Sequence, residues 1–531
     1  MNSKTYQTEI LIVGAGPAGL ALACLLTKYH VPLIIIDKKT GIIDQIKACL
    51  LSSRSLEVFD DLSLSDRALA WGQKTLAFDI YNDNEFAAHL PYYSIETRFP
   101  LNLHLGQPYT EKILNDYLSN QRIDVLWEHK LTAITQNETG ATAIILHDST
   151  EKIIHAKYIV GADGASSKTR TLCNISFEGN TYPTHYLLGN VKLTWELSHD
   201  VARLFLGKFG FLSLYPLPNN MMQIGGNITA QSERAASAKL KILMALFDER
   251  CPFPGKLSDL KWISYYRSHC YHVKKYVSNR VILIGDAALI VSPLTGLGMN
   301  SGIQDAFNLA WKLALIYKKQ ADEKLLLSYQ QERYFLSKKL SSFSNVLEAS
   351  YTLNKPFSQS LREHMMSYTK KSKAAQQQEV ARLMQKNLSY QSCSLFQDNA
   401  IPKGALRAGM QTADLSFLKN KKNSFFILLL FSGFNENTEI EESLFMLSEN
   451  HKIKSIMSVY YIQTTQKTIY DNIKQVTVIN DVSHRVHNSY GISVPSLYLI
   501  RPDDYIAYCT TNPSQKALLG YLQEFLCVSL Q

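Results

Sequence analysis

The sequence predicts an α/β protein of several domains, and three observations predict it. At 531 residues the chain exceeds what one hydrophobic core organises, so about two to four domains are expected. Three short apolar runs, 9–13, 158–160 and 281–284, each stop at a glycine-containing turn and lead toward a segment with helical spacing of apolar residues. The first of these turns reads GAGPAG, so Gly14, Gly16 and Gly19 form G-x-G-x-x-G between a strand and a helix. That context predicts a Rossmann-like dinucleotide-binding domain.

The elements follow in order. After the strand 9–13, the first glycine makes the tight turn and the second lets backbone approach a pyrophosphate. The third lets helix and strand pack closely, and Ala18 belongs to the same turn. A second strand, 33–36, ends at Asp37, where a carboxylate accepts hydrogen bonds from an adenosine ribose; Lys38 beside it is assigned to the same site. The bland alternative is a Gly-rich turn that holds no ligand. Segment 157–170, KYIVGADGASSKTR, is a strand ending in Gly-Ala-Asp-Gly before a helix. Asp163 there accepts a ribose hydroxyl or pairs with Arg170 at the helix start.

From 177 to about 276, alternating runs such as LLGNVKLTW and FGFLSLYPLP read as a mostly antiparallel sheet with helices behind it. Trp195, Phe205, Phe209, Phe211 and Tyr215 are candidates for an aromatic pocket, although aromatics at strand spacing equally read as core. In the stretch 280–313 a buried strand ends at Gly285 and Asp286. A loop punctuated by Pro293, Gly296 and Gly298 then delivers a helix N-terminus near the strand end. Unpaired N–H groups there favour an anion, or a ligand that becomes anionic, such as a reduced flavin. Residues 315–390 read as long polar helices without ligand chemistry, suited to packing and homodimer contact. Beyond 394, strands at 425–431 and in IKSIMSVYYI, a hairpin over 491–508 and a helix over 515–526 form a further α/β region.

The order G-D at 285–286, P-x-x-G-x-G-M-N from Pro293 to Asn300, and G-x-x-D-A-x-N-L-x-W-K-L from Gly302 to Leu313 closely resembles one known motif. It is the second flavin motif of the single-component FAD-dependent aromatic hydroxylases, the para-hydroxybenzoate and phenol hydroxylase group. The resemblance implies that Asp286 holds the ribityl chain and that the Gly298-Met299-Asn300 turn faces the isoalloxazine. Gln107 matches a ribityl-contacting Gln before a helix. Asp163, in D-G-x-x-S-x-x-R, matches a segment near the pyrophosphate implicated in FAD and NAD(P)H use. Lys47 stands where the family has a flavin-contacting Arg, keeping the charge without the planar fork. Leu289 stands where the family usually has His. Y-P-L-P at 215–218 matches the middle domain that covers the flavin and forms the substrate pocket. R-P-D-x-Y-x-A-Y at 501–508 resembles the thioredoxin-like C-terminal domain of the phenol hydroxylase branch. No C-x-x-C follows Phe431, which leaves that domain a structural or dimer-contact role. By the same resemblance Val494–Pro495 is expected cis, opening a strand at 496–500.

The implied architecture is a Rossmann-like FAD-binding domain (1–176 and 279–393), a mixed-sheet substrate domain (177–278) and a thioredoxin-like domain (394–531). The implied activity is hydroxylation of a phenolic or polycyclic aromatic substrate, with FAD as cofactor, NADPH or NADH and dioxygen as co-substrates, through a flavin hydroperoxide. No catalytic base is identified. The rival readings are a flavin-dependent dehydrogenase or reductase that does not use oxygen, and a non-catalytic flavoprotein partner.

Composition fits this reading. The net charge of +9 is mild and no basic–aromatic face points to nucleic acid. The eight cysteines include no C-x-x-C pair, so neither a zinc site nor a dithiol motif is expected. The first strand begins too early for a signal peptide, and no apolar run reaches membrane-spanning length. A reducing, cytoplasmic setting is expected.

Overall fold

The computed structural model describes residues 5–44, 48–208, 210–228, 239–352, 372–393, 395–418, 425–434, 455–464 and 476–526. It divides into two compact units, Met1–Phe307 with Leu336–Lys386, and Asn308–Phe335 with Asn387–Gln531.

The first unit holds two large sheets. In the seven-stranded sheet, Leu33–Ile36, Thr5–Val13, Thr150–Gly161 and Val281–Leu283 lie side by side and parallel. Their apolar runs are buried on both faces, and Leu11, Ile12, Ile35, Ile159 and Ile282 are fully enclosed. The strands Lys130–Gln136 and Ala141–His147 extend the sheet antiparallel beside Thr150–Gly161. The eight-stranded sheet runs in the order Leu289–Ile290, Lys256–Val273, Phe177–Thr194, Met221–Ile228, Gly210–Leu217, Val201–Gly207, Ala77–Asn82 and Glu85–Pro91. The sequence placed this sheet after residue 177, and the hairpin over 77–91 also belongs to it. Alternation sorts its side chains between two faces. Leu187, Val191, Phe205, Leu212, Leu214 and Ile224 pack on one face with Leu243 and Phe247 of the helix Lys239–Arg250. Leu204, Leu206 and Phe211 pack on the other.

The second unit has a six-stranded sheet in the order Gln397–Asn399, Ile506–Thr510, Ser496–Ile500, Phe426–Phe431, Met457–Gln463, Val476–Asn480. The middle strand Phe426–Phe431 is parallel to Met457–Gln463 and antiparallel to Ser496–Ile500. The strand after Pro495 spans Ser496–Ile500 as the sequence predicts, but no described peptide bond is cis. Val494–Pro495 is therefore trans, the isomer favoured wherever no tight turn demands the other. Among the described residues, no helix is long and apolar enough to cross a membrane.

Candidate active site

The four parallel strands stop in register. Val13 pairs with Ile36 on one side and Gly161 on the other, and Gly161 pairs with Leu283. The turns that follow wall a cavity of about 1130 Å³, in the crevice outside the strand ends where open α/β sheets bind ligands. Of the residues singled out from sequence, Gly14, Gly16, Ala18, Asp37, Lys38, Gln107, Asp163, Asp286, Pro293, Gly298 and Met299 line it. Gly19 and Asn300 stand behind the wall. Lys47 lies outside the described residues.

The Gly-rich turn is a backbone contact. A Cβ on Gly14, whose φ is +111°, would lie 2.3 Å from the Ala162 carbonyl oxygen, and one on Gly19 would lie 1.9 Å from the Gly14 oxygen. Only hydrogen fits at either place. A Cβ on Gly16 would meet nothing within 4 Å, so the face it presents is open. No side chain caps the helix Pro17–Lys28 that starts there, and its first-turn N–H groups remain available to an anion. Asp37 braces the turn from the next strand: it accepts the Ala15 N–H at 2.7 Å and the Lys39 N–H at 2.9 Å. These features fit a dinucleotide pyrophosphate and its ribose.

Asp163 lines the cavity and also braces the helix that follows it. Its carboxylate accepts Ser167 Oγ at 2.5 Å, the Thr169 N–H at 2.9 Å and Thr169 Oγ1 at 3.1 Å, which pins the start of the helix Lys168–Leu172. Arg170 turns away to donate to the Ala287 and Ala165 carbonyls at 3.0 and 2.8 Å, with its guanidinium 3.9 Å from the Phe177 ring centre. A carboxylate this close to free helix N–H groups finds them first.

Asp286 sits on the short turn Gly285–Ala287 directly after Val281–Leu283. Its side chain is exposed to the cavity that it lines. Burial, and then the neighbouring Asp305 carboxylate, push its pKa up to about 6. Asp305 also anchors the turn by accepting the Gly285 N–H at 2.8 Å. Next comes Pro293–Thr295, closed by Gly296 in the left-handed region at φ +64°, and then the helix Gly298–Tyr317. Asn300 is fully buried. It accepts the Ser52 N–H at 2.9 Å and donates to the Leu50 and Gly296 carbonyls at 2.9 and 3.0 Å, so its side chain staples the turn rather than facing the cavity. Gln107 opens the helix Gln107–Asn120 and donates to Glu111 Oε1 at 2.8 Å, which fixes its amide.

The eight-stranded sheet supplies the other wall. Phe78, Leu188, Leu204, Phe211, Ser213, Tyr215 and Gln223 line the cavity. Two of the five aromatic candidates are thus placed there. Phe205 faces the opposite side, stacked on Tyr81 at 4.8 Å, and Trp195 packs near the Arg203 guanidinium at 5.0 Å. Phe209 lies outside the described residues. Cys49 donates to Gln223 Oε1 at 3.1 Å, and Gln223 to Asn190 Oδ1 at 3.1 Å, a polar line into the aromatic wall. His104 stands edge-on to Tyr215, with centroids 5.4 Å apart. Burial pulls its pKa down to about 3 against a backbone hydrogen bond at Pro216, so the ring is neutral. Burial raises the Tyr215 phenol above its usual range.

Sequence reasoning missed Phe78 and Tyr92 from the hairpin region, and Glu379 and Arg382 from the helix Lys373–Leu383. That helix is mostly polar, with Ala375 and Val380 its buried positions, and no local pattern marks a cavity wall.

Residues 7–344 match the family model described as FAD binding domain. The chain is 29% identical over 537 residues to a flavin-dependent monooxygenase of Mycobacteroides abscessus, covering 97% of this chain and 99% of that protein. It is 30% identical to pentachlorophenol 4-monooxygenase of Sphingobium chlorophenolicum over 340 residues, 62% of each chain. Among solved structures, aklavinone-11 hydroxylase in ternary complex with FAD and aklavinone matches at a TM-score of 0.77 and 18% identity, covering 99% of this chain and 100% of that one. The flavin-dependent monooxygenase PieE, in complex with FAD and substrate, matches at 0.75 and 18%, covering 98% and 99%.

Proposed function

The chain belongs to the FAD-binding-domain family, and from that premise we propose that it is an FAD-dependent monooxygenase that hydroxylates an aromatic ring, with NAD(P)H and dioxygen as co-substrates. The observation that carries this reading is the shared cavity: dinucleotide-binding turns form one wall and an aromatic-lined sheet face forms the other. FAD supplies the electron transfer and oxygen activation, and the chain supplies placement. The free N–H groups of Gly16 and Ala18 receive the pyrophosphate, with Gly14 and Gly19 keeping the backbone close. Asp37 takes the adenosine ribose, with Lys38 at the rim. Asp286 and Gln107 hold the ribityl hydroxyls. Pro293, Gly298 and Met299 lie along the ring system, and Asn300 keeps their turn in place. Phe78, Phe211 and Tyr215 hold the substrate ring and exclude water. Lys47 adds a positive charge to the flavin grip.

The C-terminal unit is a thioredoxin-like domain without a dithiol, supported by its strand order and by the R-P-D run. The seven described cysteines are all free thiols, which supports a reducing cytoplasmic setting. The polar helices are the surface for a homodimer. The test is NADPH oxidation by the purified yellow protein, with and without dioxygen and phenols. Oxidation stimulated by a phenol and requiring oxygen for product is expected. Oxygen-independent turnover would make it a dehydrogenase, and FAD binding without turnover a non-catalytic flavoprotein.

A further inference from the structure

The helix Lys373–Leu383 brings to the cavity a charged pair that lies on none of the strand-end turns. The helix is held in place by Gln377, which donates to the Ser94 carbonyl at 2.9 Å, and by Val380, fully buried with Phe78, Leu90 and Phe211. Glu379 and Arg382 then line the cavity with Tyr92, Tyr215 and Tyr351. Arg382 donates through Nε to Glu379 Oε2 at 2.8 Å and through Nη2 to Oε1, a two-point grip. Its guanidinium lies 4.4 Å from the Phe343 ring centre, which fixes its plane. A guanidinium has five N–H donors, and among the described residues Nη1 has no acceptor.

Charge decides what Nη1 takes. Glu379 already balances Arg382, and burial keeps the Tyr92 and Tyr215 phenols un-ionised. A carboxylate brought here would be an unbalanced charge beside Glu379 in a half-buried site, which carries a desolvation cost. A carbonyl oxygen accepts the same charge-assisted hydrogen bond and brings no net charge. We propose that Arg382, held by Glu379, is the specificity-determining group of this site and selects aromatic substrates that carry an uncharged carbonyl. This rests on the hydroxylase reading above.

The test titrates the FAD-loaded protein with 6-acetyl-2-naphthol, 2-naphthol and 6-hydroxy-2-naphthoate, read by perturbation of the flavin absorbance. The acetyl compound binds about tenfold or more tighter than 2-naphthol, the size of one hydrogen bond to a charged group, and the naphthoate binds worse than the acetyl compound. In Arg382→Gln the acetyl preference falls to about one, and Arg382→Lys keeps part of it. Glu379→Gln leaves the guanidinium unbalanced, so the naphthoate gains about tenfold. Equal binding of all three probes by the wild type, or an unchanged acetyl preference in Arg382→Gln, overturns the proposal. If Arg382→Gln loses FAD, the Glu379→Gln arm decides, and no gain for the naphthoate overturns it. Naphthols that stimulate NADPH oxidation without any carbonyl preference remove Arg382 and leave the hydroxylase standing. Absence of both binding and stimulation removes both.

Discussion

Asp286 ends a buried strand with a carboxyl whose pKa stands near 6, where an exposed aspartate titrates near 3.8. Its charge costs the fold something, and that cost appears as pH rises from about 4 through 6. A ribityl hydroxyl donating to the ionised form would lower this pKa, so on the proposed role of Asp286 FAD should bind more tightly as pH rises through 6. FAD dissociation constants measured from pH 5 to 7.5 should fall in the wild type and stay flat in Asp286→Asn. Asp286→Ala should purify with lowered FAD content, and full flavin content would remove Asp286 from the site. Lys47 follows from sequence alone: Lys47→Ala should weaken FAD while Lys47→Arg holds it as well or better. Equal dissociation constants for all three proteins would exclude it.

At the scale of elements, alternation along strands decides which aromatics see the substrate. Phe205 and Phe211 are both buried, but Phe205 packs toward the helix Lys239–Arg250 and Phe211 lines the cavity. Phe205→Ala should cost about 3–5 kcal/mol in stability by leaving a void, with little change in substrate affinity once folded. Phe211→Ala should change the KM for the aromatic substrate, and a melting curve beside a titration separates the two. The strand-end turns were legible in the sequence because their glycines answer a local demand, as the 1.9 Å approach at Gly19 shows. The faces of the second sheet were not, because the choice between Phe205 and Phe211 depends on a strand register set by distant partners. The hydrogen bonds of Asp163 were not legible for a related reason: the helix that takes its carboxylate starts only a few residues on, and the motif does not say which donor is nearer. Arg382 had no pattern to announce it.

At the scale of the whole molecule, the two units rest on different physics. The first is organised around its cavity. The second encloses an ion cluster in which Arg501 donates twice to Glu332, at 2.8 and 2.9 Å, and also to Asp503, while Lys312 lies 3.3 Å from Glu332. The first three are fully buried or nearly so. Burial alone would raise Glu332, but Arg501 and then Lys312 hold it down at about 2. Its folded pKa lies below the unfolded value of 4.5, so its contribution is complete above that value and is lost as pH falls toward 2. Lys312 runs the other way. Burial lowers it to about 8 from 10.5, so stability gains as pH rises between those values. Glu332→Gln should cost about 3–5 kcal/mol because it leaves buried cations short of a partner, and should flatten the acid limb of the stability curve. The central claim is that this chain places an aromatic ring against FAD for oxygen insertion. The most direct measurement is mass spectrometry of the product formed from a phenol, NADPH and isotopically heavy dioxygen. One heavy oxygen atom per product molecule is predicted, with none taken from heavy water. Product carrying only solvent oxygen, or flavin reduction with no oxygenated product, would contradict the account.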